Sequence, residues 1–218
     1  MVKAVIPIRK GSIRVTNKNT KIFGDTTLLG LKIDNLKKVK NIDEIIVNTD
    51  SNEAIEIAKI KGVSYHVREK YFASSECTTP EFMVHLAEVT DTDIIAYCPC
   101  TSPFVKSSTI EECINLYNGN FLKFDSVATV KVIREFMWKN GEPLNYQRDK
   151  TPNSQDFNDI FALTFGACII SKSDLLKNKY VVGQKPYFVE TSHLEGIDID
   201  TPLDFFIAEQ IYANSFHL

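Results

Sequence analysis

Residues 2–19, VKAVIPIRKGSIRVTNKN, join an apolar run to a basic loop that contains one glycine. Residues 2–7 are apolar apart from Lys3, which is typical of a buried strand in a parallel sheet. The loop after it would lie at the carboxyl end of that strand, where open α/β sheets bind their ligands. We therefore predict an α/β fold with a binding site at this edge of the sheet.

The same pattern continues along the chain, because short Val- and Ile-rich runs alternate with stretches of helical spacing. Further strands are predicted at residues 44–49, 64–67, 93–97, 127–132, 165–171 and near 187–190. Helices are predicted at residues 28–39, 52–61, 80–89 and 107–117. Such alternation favours a largely parallel sheet, and we predict a single domain over residues 1–218.

The alternation stops over residues 133–160, where Asn, Asp, Gln, Lys, Gly and Pro are frequent. This segment nevertheless carries Phe136, Met137, Trp138 and Tyr146. That apolar content is large for a solvated loop. We interpret residues 133–160 as an excursion that packs on a second subunit or closes over the site.

Composition excludes several classes of protein. The 218 residues carry a net charge of -3, with 44% hydrophobic and 24% charged residues, as in an ordinary globular protein. There is no basic field for nucleic acid. We also expect no membrane span and no secretory leader, hence a cytoplasmic protein. The five cysteines lack the paired spacing of a zinc site, and we interpret Cys98 and Cys100 as buried free thiols.

The loop after the first strand carries groups suited to phosphate. Arg9, Arg14 and Lys18 supply positive charge, and backbone amides near Gly11 and Ser12 can cradle phosphate oxygens. The alternative is a solvated basic loop with no ligand.

A second motif, GIDIDTPLD, occupies residues 196–204. Asp198 and Asp200 are separated by one residue, so on an extended segment both point to the same face and could ligate Mg²⁺. The alternative is a helix start, in which Asp200 or Thr201 caps a helix with Pro202 in its first turn. Capping would leave Asp198 unexplained.

Taken together, these segments resemble the acylneuraminate cytidylyltransferases, which make CMP-sialic acid, and their relatives acting on legionaminic, pseudaminic and 3-deoxy-octulosonic acids. The resemblance covers nearly the whole chain. The matching residues are Arg9, Ser12, Arg14, Lys18 and Asn19 in the nucleotide loop, then Arg68, Ala73, Ser74 and Thr79, then Thr101-Ser102-Pro103, and finally Asp198-Ile199-Asp200-Thr201.

This resemblance implies a three-layer, Rossmann-like nucleotide-diphospho-sugar transferase fold with a mostly parallel central sheet and a protruding dimerisation excursion. It implies a homodimer that transfers CMP from CTP to the anomeric hydroxyl of an acidic sugar and releases pyrophosphate. Catalytic roles would fall to Arg9, Lys18 and Asp200, with Mg²⁺ on Asp198 and Asp200. The implied nucleotide contacts are Arg9, Ser12, Arg14, Lys18, Asn19, Arg68, Thr79 and Thr101.

The sequence departs from the family at two places. Pro99-Cys100 stands where the family has Gln-Pro, and residues 161–167 lack the family's arginine for the sugar acid. We therefore predict that Gln155 or Arg148 holds the acceptor's carboxylate. Two alternatives stay open for the function: a cytidylyltransferase for another acid, such as a 3-deoxy-octulosonic acid or a phosphonate, and a non-catalytic nucleotide-binding module.

Overall fold

A computed structural model describes residues 1–11, 14–120, 123–153 and 160–214. Its central feature is a seven-stranded sheet in which β1 lies near the middle. The strands of this sheet are β1 Val2–Ile8, β4 Glu44–Thr49, β5 Ser64–Val67, β6 Ile94–Tyr97, β7 Ser126–Ile133, β10 Ile160–Ser171 and β11 Pro186–Glu190. The short strands are β2 Ile22–Phe23, β3 Thr26–Thr27, β8 Trp138–Lys139 and β9 Glu142–Pro143, which form two separate pairs.

The strand order is β11-β7-β10-β6-β1-β4-β5. β10 pairs antiparallel with both of its neighbours, whereas the other pairings within this sheet are parallel. The carboxyl ends of β1, β4, β5, β6, β7 and β11 therefore meet at one edge of the sheet, together with the start of β10. This edge positions the loops that carry the polar residues described below.

Helices cover both faces of the sheet, so the architecture has three layers. The helices are α1 Leu28–Leu36, α2 Asn52–Ile60, α3 Lys70–Ala73, α4 Thr79–Val89, α5 Ser107–Asn120, α6 Lys172–Asn178 and α7 Pro202–Asn214. Residues of α1, α2, α5 and α7 share one core cluster with β1 side chains such as Ile6. Residues of α4 and α6 pack in a second cluster with Val5, on the opposite face of the same strand.

The predicted α/β class and mostly parallel sheet are confirmed. The strands at residues 44–49 and 64–67 have the predicted bounds, and the predicted helices are present with ends shifted by a few residues. β10 is the main difference, because it begins at Ile160 and not at Phe165. Its pairing with β7 is irregular between Leu163 and Cys168, and Phe165 has a φ of 52°. A bulge of this kind leaves no clear trace in hydrophobic periodicity.

The excursion at residues 133–160 contains a hairpin that the sequence interpretation did not foresee. β8 and β9 pair across Asn140 and Gly141, which have positive φ angles of 53° and 82°. An Asn-Gly pair with positive φ at both positions is typical of a two-residue hairpin turn, and glycine relieves the strain at the second position. Residues 154–159 of the excursion lie outside the described part of the chain.

Two further predictions concern the cysteines and membranes. All five cysteines are free, and Cys98 and Cys100 are buried, as predicted. Burial raises the pKa of the Cys100 thiol to about 12, so it is unreactive. Within the described ranges, no helix combines the length and the apolar character needed to cross a bilayer.

Candidate active site

The basic loop after β1 and the paired aspartates before α7 meet in space. The Nζ of Lys18 donates a hydrogen bond to the carbonyl oxygen of Ile199 and lies 4.0 Å from Oδ1 of Asp200. The Nη2 of Arg14 lies 3.0 Å from the same Asp200 oxygen. Segments almost two hundred residues apart in sequence thus form one cluster of two cations around a carboxylate.

Local structure turns Lys18 inward. The backbone N–H of Lys18 donates to the carbonyl of Val15, and Asn17 has a positive φ of 52°, so the chain reverses tightly here. Val15 is buried and anchors the turn, while the N–H of Leu29 in α1 donates to the carbonyl of Asn19. As a result Lys18 is only 8% exposed, whereas Arg9 and Arg14 remain exposed.

Thr201, and not Asp200, caps helix α7. The Thr201 hydroxyl accepts the N–H of Asp204 at 3.2 Å, and Oδ2 of Asp204 accepts the N–H of Thr201 at 2.7 Å. This reciprocal pair caps α7. The backbone N–H of Ile199 donates to the carbonyl of Thr101 and fixes the segment to the loop after β6. Thr201 is therefore the capping residue, and the carboxylates of Asp198 and Asp200 are not used by the cap.

The two aspartates lie in an environment that favours a cation. The pKa of Asp198 is raised because the protein displaces water from its carboxyl group, and the charge of Asp200 adds to this effect. A hydrogen bond from Thr101 and the charge of Lys18 act in the opposite direction. The pKa of Lys18 is lowered, mainly by burial, against the attraction of Asp200 and Asp198. A further cation beside Asp198 would relieve the cost of its charge.

Arg68 is the buried cation of a neighbouring part of the site. It is 6% exposed, and its Nε and Nη2 donate to Oδ1 and the backbone oxygen of Asn48 at 2.6 and 2.7 Å. Its guanidinium carbon lies 4.4 Å from the centre of the Phe82 ring. Burial lowers the pKa of Arg68 to about 10, so the group keeps its charge at neutral pH.

A main cavity of about 420 Å³ opens at the carboxyl edge of the sheet. It brings together four of the residues predicted from sequence, Arg9, Arg68, Thr79 and Thr101. Its other lining residues are Pro7, Phe72, Ser74, Cys77, Thr78, Phe82, Met83, Tyr97, Pro99, Phe165 and Tyr180. This volume suits a small ligand, and the mixture of aromatic and charged groups suits a nucleotide.

A narrow cleft adjoins the main cavity, and Arg9 lines both. Lys18, Asn19 and Ser51 also line this cleft. The Oδ1 of Asn19 is buried and has no hydrogen-bond partner among the residues that the structure describes. A ligand in the cleft could satisfy this group.

Three predicted residues stand apart from this cluster. Ser12 and Gln155 lie outside the described residues. Arg148 is engaged within the excursion, where it donates to the carbonyl of Gly141 at 2.8 Å, pairs with Glu142 at 3.3 Å and covers the Trp138 ring. The structure does not place Arg148 in the main cavity or the narrow cleft.

The sequence interpretation missed several residues of this site. Asn48 orients Arg68, and Phe82 packs on its guanidinium. Asn48 offered a signal, since it is a polar residue near the carboxyl end of a buried parallel strand. Phe165 lines the main cavity from the irregular part of β10, and no local pattern reveals a phenylalanine with positive φ.

Comparison with known proteins connects this geometry to one family. The sequence model of the family described as Cytidylyltransferase matches residues 3–215. The N-acylneuraminate cytidylyltransferase of Escherichia coli O18:K1:H7 is 26% identical over 216 residues, which cover 94% of this chain and 50% of that protein. The CMP-N,N'-diacetyllegionaminic acid synthase of Legionella pneumophila is 26% identical, with 96% of this chain and 95% of that protein covered.

The chain spans about half the length of the E. coli protein and of the N-acylneuraminate cytidylyltransferase A of Danio rerio. Among solved structures, a CMP:2-keto-3-deoxy-manno-octonic acid synthetase in complex with CTP superposes with a TM-score of 0.72, at 13% identity and 99% coverage of both chains. A cytidylyltransferase from Leptospira borgpetersenii gives a TM-score of 0.65 at 20% identity, covering 100% of this chain and 87% of that chain. The chain therefore has the α/β fold of these nucleotidyltransferases.

Proposed function

The chain belongs to the cytidylyltransferase family, and from this membership and the geometry of its site we propose that it transfers CMP from CTP to the anomeric hydroxyl of an acidic sugar. Pyrophosphate is the second product. The sugar is a nonulosonic acid of the sialic acid type, as in the named products of the E. coli and Legionella relatives.

One observation supports this proposal above the others: Arg14 and Lys18 surround Asp200, and the neighbouring Asp198 interacts with Thr101, which lines the main cavity. Cations alone would suit many anions. Cations that alternate with two carboxylates suit a phosphate chain with a bound metal ion. The cations can then pair with phosphate oxygens, and the carboxylates can bind the metal.

We assign the nucleotide contacts as follows. The base and ribose occupy the main cavity, beside Arg68, Thr79 and Thr101. The triphosphate lies along the surface past Arg9 and Lys18, because the narrow cleft encloses only about 10 Å³ and admits no more than one small group. Arg9 lines both spaces and so stands where the nucleoside meets the phosphates. Asn19 and Ser12 complete the proposed set of contacts, and Arg14 reaches the phosphates when it leaves Asp200.

Mg²⁺ fits the residues present. Within the described ranges, no group of three or more His, Cys, Asp or Glu side chains is arranged to hold a metal ion, so Mg²⁺ would rest on the two carboxylates of Asp198 and Asp200. Two carboxylates suit Mg²⁺, which keeps waters and takes its remaining ligands from substrate phosphates. The pKa of Asp198 is raised, first by burial of its carboxyl group and also by the charge of Asp200, so a bound cation would stabilise the charged form. When bound, Mg²⁺ would neutralise charge on the phosphate oxygens and on the leaving group.

In the proposed reaction the anomeric hydroxyl oxygen forms a bond to the α-phosphorus of CTP. The bond from that phosphorus to the oxygen bridging to the β-phosphate breaks, and its electron pair leaves with pyrophosphate. The hydroxyl proton passes to a carboxylate of the site or to water. Arg9 and Lys18 stabilise the charge that develops on the phosphate oxygens, and Lys18 is held in place before reaction by its hydrogen bond to Ile199.

Asp200→Asn tests the proposal. With CTP, Mg²⁺ and N-acetylneuraminic acid, we expect wild-type protein to release pyrophosphate and the variant to lose about 100-fold in kcat. Asp91→Asn is the control, because Asp91 is an exposed aspartate that precedes β6, whereas the site lies at the carboxyl end of that strand. Equal turnover of all three proteins would remove Asp200 from the site.

A panel of acceptors and nucleotides separates the remaining functions. Preference for a 3-deoxy-octulosonic acid or a phosphonate would move the chain to another cytidylyltransferase. Tight CTP binding without pyrophosphate release from any acceptor would indicate a non-catalytic nucleotide-binding module.

We further propose that the protein works as a homodimer in a reducing, cytoplasmic compartment. The exposed Trp138 and Leu144 of the hairpin support a dimer, and the five free cysteines support a reducing compartment.

A further inference from the structure

A second cavity of about 320 Å³ lies at the same edge of the sheet, beyond β10. It is formed by residues 131–135 at the end of β7 and residues 190–193 after β11. Its lining residues with ionisable side chains are Lys131, Arg134, Glu135, Glu190 and His193. Neither the family match nor the sequence prediction gives these residues a role. We call this space the β7–β11 cavity.

Lys131 connects the β7–β11 cavity to the segment with the paired aspartates. A Cβ atom at Gly196 would lie 3.3 Å from Cβ and 3.4 Å from Cδ of Lys131. The stem of Lys131 therefore runs along the backbone of Gly196, and the absence of a side chain at this position makes room for it. Gly196 precedes Asp198 by two residues, a span of at most about 7 Å.

The direction of Lys131 agrees with this contact. Side chains alternate along a strand, so Lys131 points to the same face of the sheet as Val127. Val127 belongs to the core cluster that contains Ile199, the residue between the two aspartates. Lys131 also pairs with Ala162 of the neighbouring strand β10, and the small side chain of Ala162 leaves space beside the lysine. Lys131 thus lies on the face that carries Asp198 and Asp200.

The cations of the β7–β11 cavity are not paired with the carboxylates beside them. Among the described residues, neither Lys131 nor Arg134 forms an ion pair, although Arg14, Lys18 and Arg148 each do. Glu135 and Glu190 line the same cavity without pairing to either cation. Lys131 is partly buried, and a partly buried cation that lines a cavity and forms no ion pair can bind an anionic ligand there.

The chemistry of the proposed acceptor supplies such an anion at the required place. In an acidic keto-sugar the carboxylate is bonded to the same carbon as the attacking anomeric hydroxyl. A hydroxyl held next to the α-phosphate therefore brings its carboxylate close to the segment of Asp198 and Asp200, so a cation there would offset the added negative charge. Residues 161–167, on the neighbouring strand, contain no arginine that could provide it.

We propose that Lys131 binds the carboxylate of the acidic-sugar acceptor, with Arg134 at the rim of the same subsite. This inference rests on the proposed function and assigns the acceptor half of the site. Glu135 and Glu190 limit the β7–β11 cavity to one anionic group and offer acceptors for sugar hydroxyls. The sequence-based prediction named Gln155, which lies outside the described residues, and Arg148, and we add Lys131 to them as a proposed carboxylate ligand.

Lys131→Met tests the assignment, because methionine keeps the apolar stem and removes the charge. With N-acetylneuraminic acid as acceptor we expect the acceptor KM to rise about 30-fold, the loss of one charge-assisted hydrogen bond. The KM for CTP should stay within about twofold, since the nucleotide contacts are untouched. Lys131→Arg should retain most of the acceptor affinity, and Lys177→Met, an exposed lysine on α6, is the matched control.

A second acceptor makes the test specific. When the carboxylate of the sugar is converted to a primary amide, wild type and Lys131→Met should have the same acceptor KM, because the charge pair is already absent. An unchanged KM for the acid in Lys131→Met, or an equal rise for acid and amide, would overturn the subsite. If wild type releases no pyrophosphate with any acidic acceptor, the proposed function fails first and the subsite fails with it.

Discussion

Lys18 keeps an ammonium group in a nearly dry position beside Asp200. It is 8% exposed, and burial lowers its pKa in spite of the two carboxylates. The charged form is thus less stable in the folded protein than in the unfolded chain. An apolar side chain of similar length would fill the same space without the cost of burying a charge. We therefore infer that the lysine is kept for function.

Lys18→Met should separate activity from stability. We expect kcat/KM for CTP to fall about 100-fold, because a fixed positive charge near the phosphates is lost. The melting temperature should not fall, since the buried charge is removed with its desolvation cost. Pyrophosphate release and thermal unfolding measure the two effects, with Lys177→Met as control. A variant that loses stability and keeps activity would show that Lys18 is only structural.

The difference in melting temperature between wild type and Lys18→Met should depend on pH in a defined direction. A lysine whose pKa is lowered on folding binds fewer protons in the folded than in the unfolded chain. Its contribution to stability therefore rises with pH between the lowered pKa and the ordinary value of 10.5. The melting temperature of wild type should approach that of Lys18→Met as the pH rises through this window.

Residues of the site differ in how far the sequence could predict them. Arg9, Lys18, Asp198 and Asp200 stand in motifs, and a loop after a strand or a pair of alternating carboxylates has a direct physical meaning. Asn48 and Lys131 stand inside strands, where their partners come from other parts of the chain. No local pattern shows those partners, so only the fold reveals their environment.

The β8–β9 hairpin is the element that carries the proposed dimer contact. Trp138 and Leu144 are 52% and 53% exposed, and Arg148 covers one face of the tryptophan. Apolar side chains concentrated on a protruding hairpin favour contact with a second copy of the chain. The resemblance described in the sequence analysis implied the same contact.

Leu144→Glu should weaken the dimer, because a buried, unpaired carboxylate in an interface is costly. Sedimentation velocity at micromolar concentration should give a dimer for wild type and a monomer for this variant. Ile60→Glu is the control, since Ile60 is 81% exposed at the end of α2, away from the hairpin. A wild-type monomer, or a dimer unaffected by Leu144→Glu, would remove the hairpin from the interface.

β4 has the predicted bounds because its burial in the sheet gives it a clear apolar pattern. β5 is mostly exposed, and its bounds were predicted from the alternation of polar and apolar residues over residues 64–67. The hairpin was missed although Asn140-Gly141 is a strong turn signal, because its two strands have only two residues each. The direction of β10 depends on pairing with distant strands and leaves no local signal.

At the scale of the whole molecule, the cavities lie along one edge of the sheet. The main cavity and the narrow cleft lie over β1, β4, β5 and β6, and the β7–β11 cavity lies over the other end. Asp198 and Asp200 stand between them, tied to the loop after β6 through Ile199 and packed near Lys131 through Gly196. Under the proposed function, this arrangement would place the nucleotide on one side of Asp198 and Asp200 and the acceptor on the other.

A crystal structure with CTP and Mg²⁺ tests the central claim most directly. The account predicts one bound triphosphate with oxygens about 3 Å from Lys18 or Arg14. It also predicts a metal about 2.1 Å from a carboxylate oxygen of Asp198 or Asp200. A triphosphate bound away from residues 9–19, with neither aspartate on the metal, would contradict it.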